Sequence, residues 1–320
     1  MPLGKDLKTQ VASCLHLEID SFGRPIADRA IREAITEHVE AVGDWRKDLS
    51  PYSKAFEIIR RGAPHAASID NLLSAHESNE MVKLFGKMAI CKCILEAERH
   101  SQIYCSSGTE LANKMEETWF LDIFRMLCAD VSSDNLRKIF HGVSFINYNY
   151  DRCIQQYLCK AIQEYYNIDS ARALELVDEL TVIYPYGHIG KLAESGNNLH
   201  FGGEANGKKL IEISSGIKTF SEQIKYASDK IRIRNTLSKA DIIVFLGFHF
   251  HKQNIELLEI NELVMRDRRI FFTALGSSEG DRKYIISKIQ STFNISADAI
   301  MSHDGSCHSL MQSYGRALQA

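Results

Sequence analysis

The hydrophobic pattern changes its period near residue 140, and this change limits the fold more than any other feature of the chain. Before it, apolar residues recur at helical spacing. Residues 27–42 carry such a stripe and end before Gly43. Residues 53–61 form a shorter one that stops near Gly62 and Pro64, and 70–73 open another helix with Ser68 as its cap. Residues 80–98 are strongly apolar through Met81, Leu84, Met88, Ile90, Cys91, Ile94 and Leu95. Residues 108–127 continue the theme, with Trp119, Phe120, Ile123 and Phe124 as core candidates. Such stripes read as packing faces.

Beyond residue 140, short apolar runs at 143–146, 180–183, 242–246 and 270–273 alternate with helical patterns at 152–166, 171–179, 218–237, 253–265 and 279–292. Alternation of this kind predicts an α/β fold, with a parallel sheet wrapped by helices and a large helical insertion in the N-terminal half. The four runs are expected to share that sheet. The polar, glycine-rich segment 194–208 predicts a surface loop.

Composition narrows the function classes. The formal net charge of -3 across 320 residues offers no global attraction to nucleic acid or an anionic membrane. No apolar run approaches the ~20 residues of a membrane helix. Met1-Pro2-Leu3-Gly4-Lys5-Asp6-Leu7 has no signal-peptide character, so a cytoplasmic location is expected. The eight cysteines form no Cys-x-x-Cys pair, which points to small buried thiols rather than a zinc module.

Chemistry-bearing residues cluster where the strand runs end, the place where α/β folds gather ligands. The run at 143–146 feeds Asn147-Tyr148-Asn149-Tyr150-Asp151-Arg152 and then a helical pattern. The run at 180–183 leads to Tyr184-Pro185-Tyr186-Gly187-His188. The third becomes Leu246-Gly247-Phe248-His249-Phe250-His251, with Asn254 opening a helix, and the fourth reaches Gly276-Ser277. Glycine there lets backbone approach a ligand, and a helix start favours phosphate.

In this order and spacing, Asn149-Tyr150-Asp151, the Tyr186-Gly187 turn and the Leu246 to Asn254 element resemble the bacterial Sir2-like family. Ser68-Ile69-Asp70-Asn71-Leu72-Leu73 and the stretch from Gly86 to Glu98 are similar to its helical region, so the resemblance spans nearly the whole chain. It implies a single domain over 1–320, with a helical insertion at about 27–135 and a Rossmann-like core at about 140–320. NAD would be substrate or ligand, and the reaction cleavage of the nicotinamide–ribose bond in antiphage defence by abortive infection. Asn149 would contact the ribose and position the attacking water, Asp151 would orient the loop or a ribose hydroxyl, and His188 would accept the proton. Tyr150, Tyr186, Gly187, Gly247, Phe248, Asn254, Gly276 and Ser277 would line the dinucleotide site. Asn149, Gly187, His188, Gly247 and Gly276 are expected to converge on one cleft.

Two departures from the family pattern are visible. Its Gly-Ala-Gly-x-Ser phosphate loop has no counterpart here, and residues 1–7 resemble the family's residues directly after that loop. Tyr184 and Tyr186 stand where the family carries its histidine, with His188 just after Gly187. Plainer readings stand beside each assignment: Asn149 and Asp151 as helix caps, and His188 as a solvated turn residue. His249 and His251 lack an evident third metal ligand, and the Asp304-Gly305 pair reads as a turn near Ser306 and Cys307, which in the family lie toward the adenine. The alternative function is a non-catalytic NAD or ADP-ribose sensor or structural subunit of a defence complex. A homo-oligomer or a defence-complex protein would be its partner; a protein deacylase ranks third, lacking the zinc module.

Overall fold

The computed structural model describes residues 4–19, 25–43, 48–105, 108–192, 199–225, 227–258 and 267–319. In chain order the elements are α1 (Gly4–Cys14), β1 (Glu18–Ile19), β2 (Pro25–Ile26), α2 (Arg29–Ala41), α3 (Ser50–Gly62), α4 (Ile69–Ala75), α5 (Glu80–Arg99) and α6 (Gln102–Cys105). Then come α7 (Gly108–Met115), α8 (Trp119–Cys128), β3 (Ser144–Ile146), α9 (Cys153–Tyr166), α10 (Ser170–Glu179), β4 (Thr181–Ile183), α11 (Gly207–Ser214), α12 (Phe220–Lys225) and α13 (Ala227–Lys239). The chain finishes with β5 (Ile242–Phe245), α14 (Lys252–Glu256), β6 (Arg269–Thr273), α15 (Glu279–Phe293), β7 (Ile300–His303) and α16 (Cys307–Gln319). Among the described residues, no helix is long and apolar enough to cross a membrane.

Two interleaved units result. One comprises 1–106, 147–157 and 184–225, the other 107–146, 158–183 and 226–320. Neither coincides with the expected 27–135 or 140–320 spans.

The first unit is helical and centred on α5, which α1, α3, α4 and α11 cover. Its stripe is wider than one face: Val82, Phe85, Met88, Ala89, Ile90, Cys91, Cys93, Ile94 and Leu95 are all buried. A helix apolar around most of its circumference belongs in an interior. Local signals set its neighbours' ends. Ser68 Oγ accepts the Asn71 N–H at 3.2 Å to start α4, and Asn79 does the same for Val82 at 3.1 Å to start α5.

Near its C-terminal end α5 carries Glu98, fully buried, against Arg152, 1% exposed. Arg152 Nη2 donates to Glu98 Oε2 at 2.6 Å and Nε to Oε1 at 3.1 Å. The remaining guanidinium protons go to the carbonyls of Leu199 (2.6 Å), His200 (3.0 Å) and Lys191 (3.3 Å). Glu98 also accepts the backbone N–H groups of Arg152 at 3.0 Å and Gly202 at 2.9 Å. The expectation of a surface loop over 194–208 holds in part at its described end: His200, Glu204 and Asn206 are exposed, but Phe201 and Gly202 are buried where this ion pair draws the chain in. Residues 194–198 lie outside the described residues.

The second unit contains both parallel sheets. β3 pairs with β4 in register Phe145↔Val182. β5, β6 and β7 form the other, in registers Val244↔Phe271 and Phe271↔Met301. The expectation of one parallel sheet is thus corrected to two parallel sheets among the described residues, apart from the short antiparallel pair β1–β2. Alternation of strands and helices specifies parallel pairing, but main-chain hydrogen bonds between particular neighbours decide how many sheets form. α8 and α16 cover the three-stranded sheet, with Leu310, Met311 and Phe271 at the centre and Trp119, Ile123, Met126 and Tyr314 around them.

Three helix bounds differ from expectation. The span 108–127 breaks into α7 and α8 at Glu116-Glu117-Thr118, and 218–237 divides into α12 and α13, with residue 226 outside the described residues. The span 253–265 reduces to α14, and 259–265 lie outside.

Removing one partner of a buried ion pair strands the other charge away from water. Arg152→Ala should therefore lower the unfolding free energy by about 3–5 kcal/mol, read from urea titration. A loss below about 1 kcal/mol would mean the pair behaves as if solvated.

Candidate functional site

The loop between β3 and α9 belongs to the first unit from Asn147 onward. Asn147 Oδ1 accepts the Asn149 N–H at 3.0 Å, a side-chain turn that presents Asn149 outward. Asn149 is exposed, whereas Tyr150 and Asp151 beside it are buried. Asp151 Oδ1 accepts the Cys153 N–H at 3.0 Å, so it caps α9, the plainer of its two readings. Its carbonyl accepts the Tyr184 hydroxyl at 3.2 Å. Tyr150 donates its hydroxyl to Asp70 of α4 in a short hydrogen bond. Burial raises the Asp70 pKa, with the Tyr150 contact opposing it. Burial, joined by the Asp70 carboxylate, holds the Tyr150 phenol protonated.

The segment after β4 folds against this loop within the same unit. Tyr186 stacks edge-on with Tyr148 at 6.0 Å between ring centroids. Tyr184 donates to Gln155 Oε1 at 2.8 Å and lies 4.8 Å from the His188 ring. Gly187 takes φ +78°, and a Cβ there would stand 1.8 Å from the Gly216 carbonyl oxygen. That crowding comes from the chain itself: Gly187 bridges Ile217, and Lys218 N–H donates to the Tyr186 carbonyl at 2.9 Å.

His188 Nδ1 accepts the Gly190 N–H at 3.0 Å. The neutral ring consequently carries its proton on Nε2, where it is a donor. Burial, with help from the nearby Arg152, Lys191 and Lys218 cations, lowers its pKa from the usual histidine value. His188 is a half-buried, neutral hydrogen-bond donor in a positive setting rather than a solvated turn residue.

The other expected residues lie in the second unit, at the carboxyl edge of the three-stranded sheet. Gly247 has φ +59° and donates its N–H to Thr273 Oγ1 at 2.8 Å. Gly276 has φ +73° with open space where a Cβ would be, and the Ser277 N–H closes its turn on the Ala274 carbonyl at 2.9 Å. Phe248 packs against Phe245 and Phe250, with ring centroids 5.2 and 4.9 Å away. Asn254 Nδ2 donates to the His249 carbonyl at 3.3 Å, closing its own loop. The rings of His249 and His251 stack at 5.6 Å, and no group of three metal-ligating side chains occurs among the described residues. Ser306 caps α16 through the Ser309 N–H at 3.1 Å, and the Cys307 thiol lies beside Thr273.

Of the five residues expected in one cleft, Asn149, Gly187 and His188 thus belong to the first unit, Gly247 and Gly276 to the second. Two polar constellations had no sequence signal. The Glu98–Arg152 pair joins residues 54 positions apart. In the second unit, buried Asp122 of α8 holds His308 Nδ1 at 2.7 Å and Gln312 Nε2 at 2.5 Å, both of α16. The helical spacing of His308 and Gln312 shows them on one face, but nothing in the sequence identifies Asp122 as their partner.

Gly187→Ala should cost at least ~2 kcal/mol, because both its backbone conformation and the Gly216 carbonyl oppose a side chain; a neutral result in thermal melting would overturn the crowding argument. His188 makes a pH prediction. As pH falls through about 6.5, the unfolded chain binds a proton that folded His188 resists, so stability drops in that direction. His188→Gln should lose less of its melting temperature than wild type between about pH 7.5 and about pH 5.5, and equal losses would refute the depressed pKa.

No protein-family model, curated protein or solved structure matches this chain.

Proposed function

We propose that this chain binds NAD and cleaves its nicotinamide–ribose bond, acting in a bacterial antiphage response as the Sir2-like resemblance implies. The observation that supports this reading most is the exposure of Asn149 beside Tyr150 and Asp151, which are buried and fastened. Nicotinamide leaves from a positively charged ring, so little acid catalysis is needed. The reaction instead asks for a water held at the anomeric carbon and for stabilisation of an oxocarbenium-like transition state. An outward carboxamide with a donor and an acceptor suits both a water and a ribose hydroxyl. Asp151, engaged as the α9 cap, is assigned the positioning of that loop.

The state of His188 favours a second reading. With Nδ1 already accepting a hydrogen bond, the neutral ring offers a donor and not a base. A donor beside Lys191 and Lys218 suits binding of an anionic ligand without turnover, which is the chemistry of an NAD or ADP-ribose sensor.

Nicotinamide release separates the two. Wild-type protein should release it from NAD, and Asn149→Ala should slow release by about 100-fold or more while melting normally. Unchanged release in Asn149→Ala would reject the assigned role of Asn149. Calorimetric binding of NAD or ADP-ribose without any release would establish the sensor reading instead.

A further inference from the structure

We infer that Cys14 and Cys93 are an oxidisable pair that closes an intrachain disulfide fastening α1 to α5. The two sulfurs lie 4.0 Å apart in the first unit. Closing to the ~2.05 Å of a disulfide takes a displacement of about 2 Å. Cys14 is the last residue of α1, so a shift there leaves earlier turns undisturbed. Cys93 lies in the middle of α5, a rigid anchor.

Exposure gives the order of events. Cys14 is the less buried of the two, half-buried where Cys93 is 3% exposed, so it is the one a small oxidant meets first. The other described cysteines include Cys91, Cys128, Cys153 and Cys159, all buried, and a half-buried Cys307. With hydrogen peroxide as oxidant, the Cys14 thiolate attacks a peroxide oxygen, the O–O bond breaks, and one water leaves as Cys14 becomes a sulfenic acid. The Cys93 sulfur then attacks the Cys14 sulfur, the S–O bond breaks, and a second water departs. Two thiols lose two electrons in all, and one peroxide gains them.

The surroundings set the pace. The hydrogen bond shared with Cys93, then burial, holds the Cys14 thiol well above its usual pKa, partly offset by the Lys92 ammonium. Only a small fraction is thiolate at neutral pH, so closure should be slow there and faster in alkali.

The test treats the full chain with hydrogen peroxide, blocks remaining thiols, and maps peptides without and with reductant. A reducible peptide linking Cys14 to Cys93 is expected, together with a melting temperature raised by about 5 °C or more that dithiothreitol reverses. Cys14→Ser should form no such peptide and show no rise. Because Cys14 is half-buried, that variant should keep its fold, and the wild-type peptide map decides the matter even if it does not. Recovery of Cys93 as a blocked free thiol after Cys14 has been oxidised further to sulfinic acid would overturn the inference. So would a map in which Cys14 pairs with a different cysteine.

Discussion

A carboxylate and a guanidinium buried together set the terms for the helical unit. Neither Glu98 nor Arg152 tolerates removal from water alone, and each satisfies the other only with help from main-chain groups. Arg152 has five N–H donors in a fixed fork, and the carbonyls of Lys191, Leu199 and His200 accept what Glu98 does not. Three separate stretches of chain are therefore tied at one point: the end of α5, the start of α9 and the segment entering α11. Lysine would not substitute, since a point charge cannot make the same planar set of contacts.

The same tie explains the contrast within Asn149-Tyr150-Asp151. Arg152 and Asp151 are drawn inward, and Tyr150 finds Asp70, so three consecutive side chains are committed to structure. Asn149 alone is turned out, by a hydrogen bond from its own amide to Asn147. A motif that looks like one chemical unit in the sequence is divided by burial into one outward carboxamide and its support. The fixed tautomer of His188 is a second division of this kind, because the Gly190 amide has claimed the nitrogen that a proton would need.

Features encoded locally were legible in the sequence. The α5 stripe, the Ser68 cap and the strand runs at 143–146 and 270–273 depend on neighbours a few residues away, and each appears close to its expected bounds. What depended on distant partners was not legible. β7 is only four residues, half of them polar, and becomes a strand by pairing with β6. The burial of Phe201 and Gly202 follows from Arg152, which no local pattern connects to them. Division of the parallel strands into two sheets likewise turns on which backbones meet. For the candidate site, the loop carrying Asn149 was readable, while the capping of α9 by Asp151 and the proton position on His188 depend on the folded backbone around them.

The order of the ion pair along the chain also bears on how the protein is made. Glu98 is synthesised 54 residues before Arg152 and 104 before Gly202. At ribosomal rates of about 5–20 residues per second, α5 waits about 3–11 s for its cation and about 5–21 s for the last amide. Through that interval a strongly apolar helix carries a carboxylate it cannot yet bury. The nascent N-terminal helices therefore remain open to water, and to whatever chaperone meets them, until the chain as far as Gly202 has emerged.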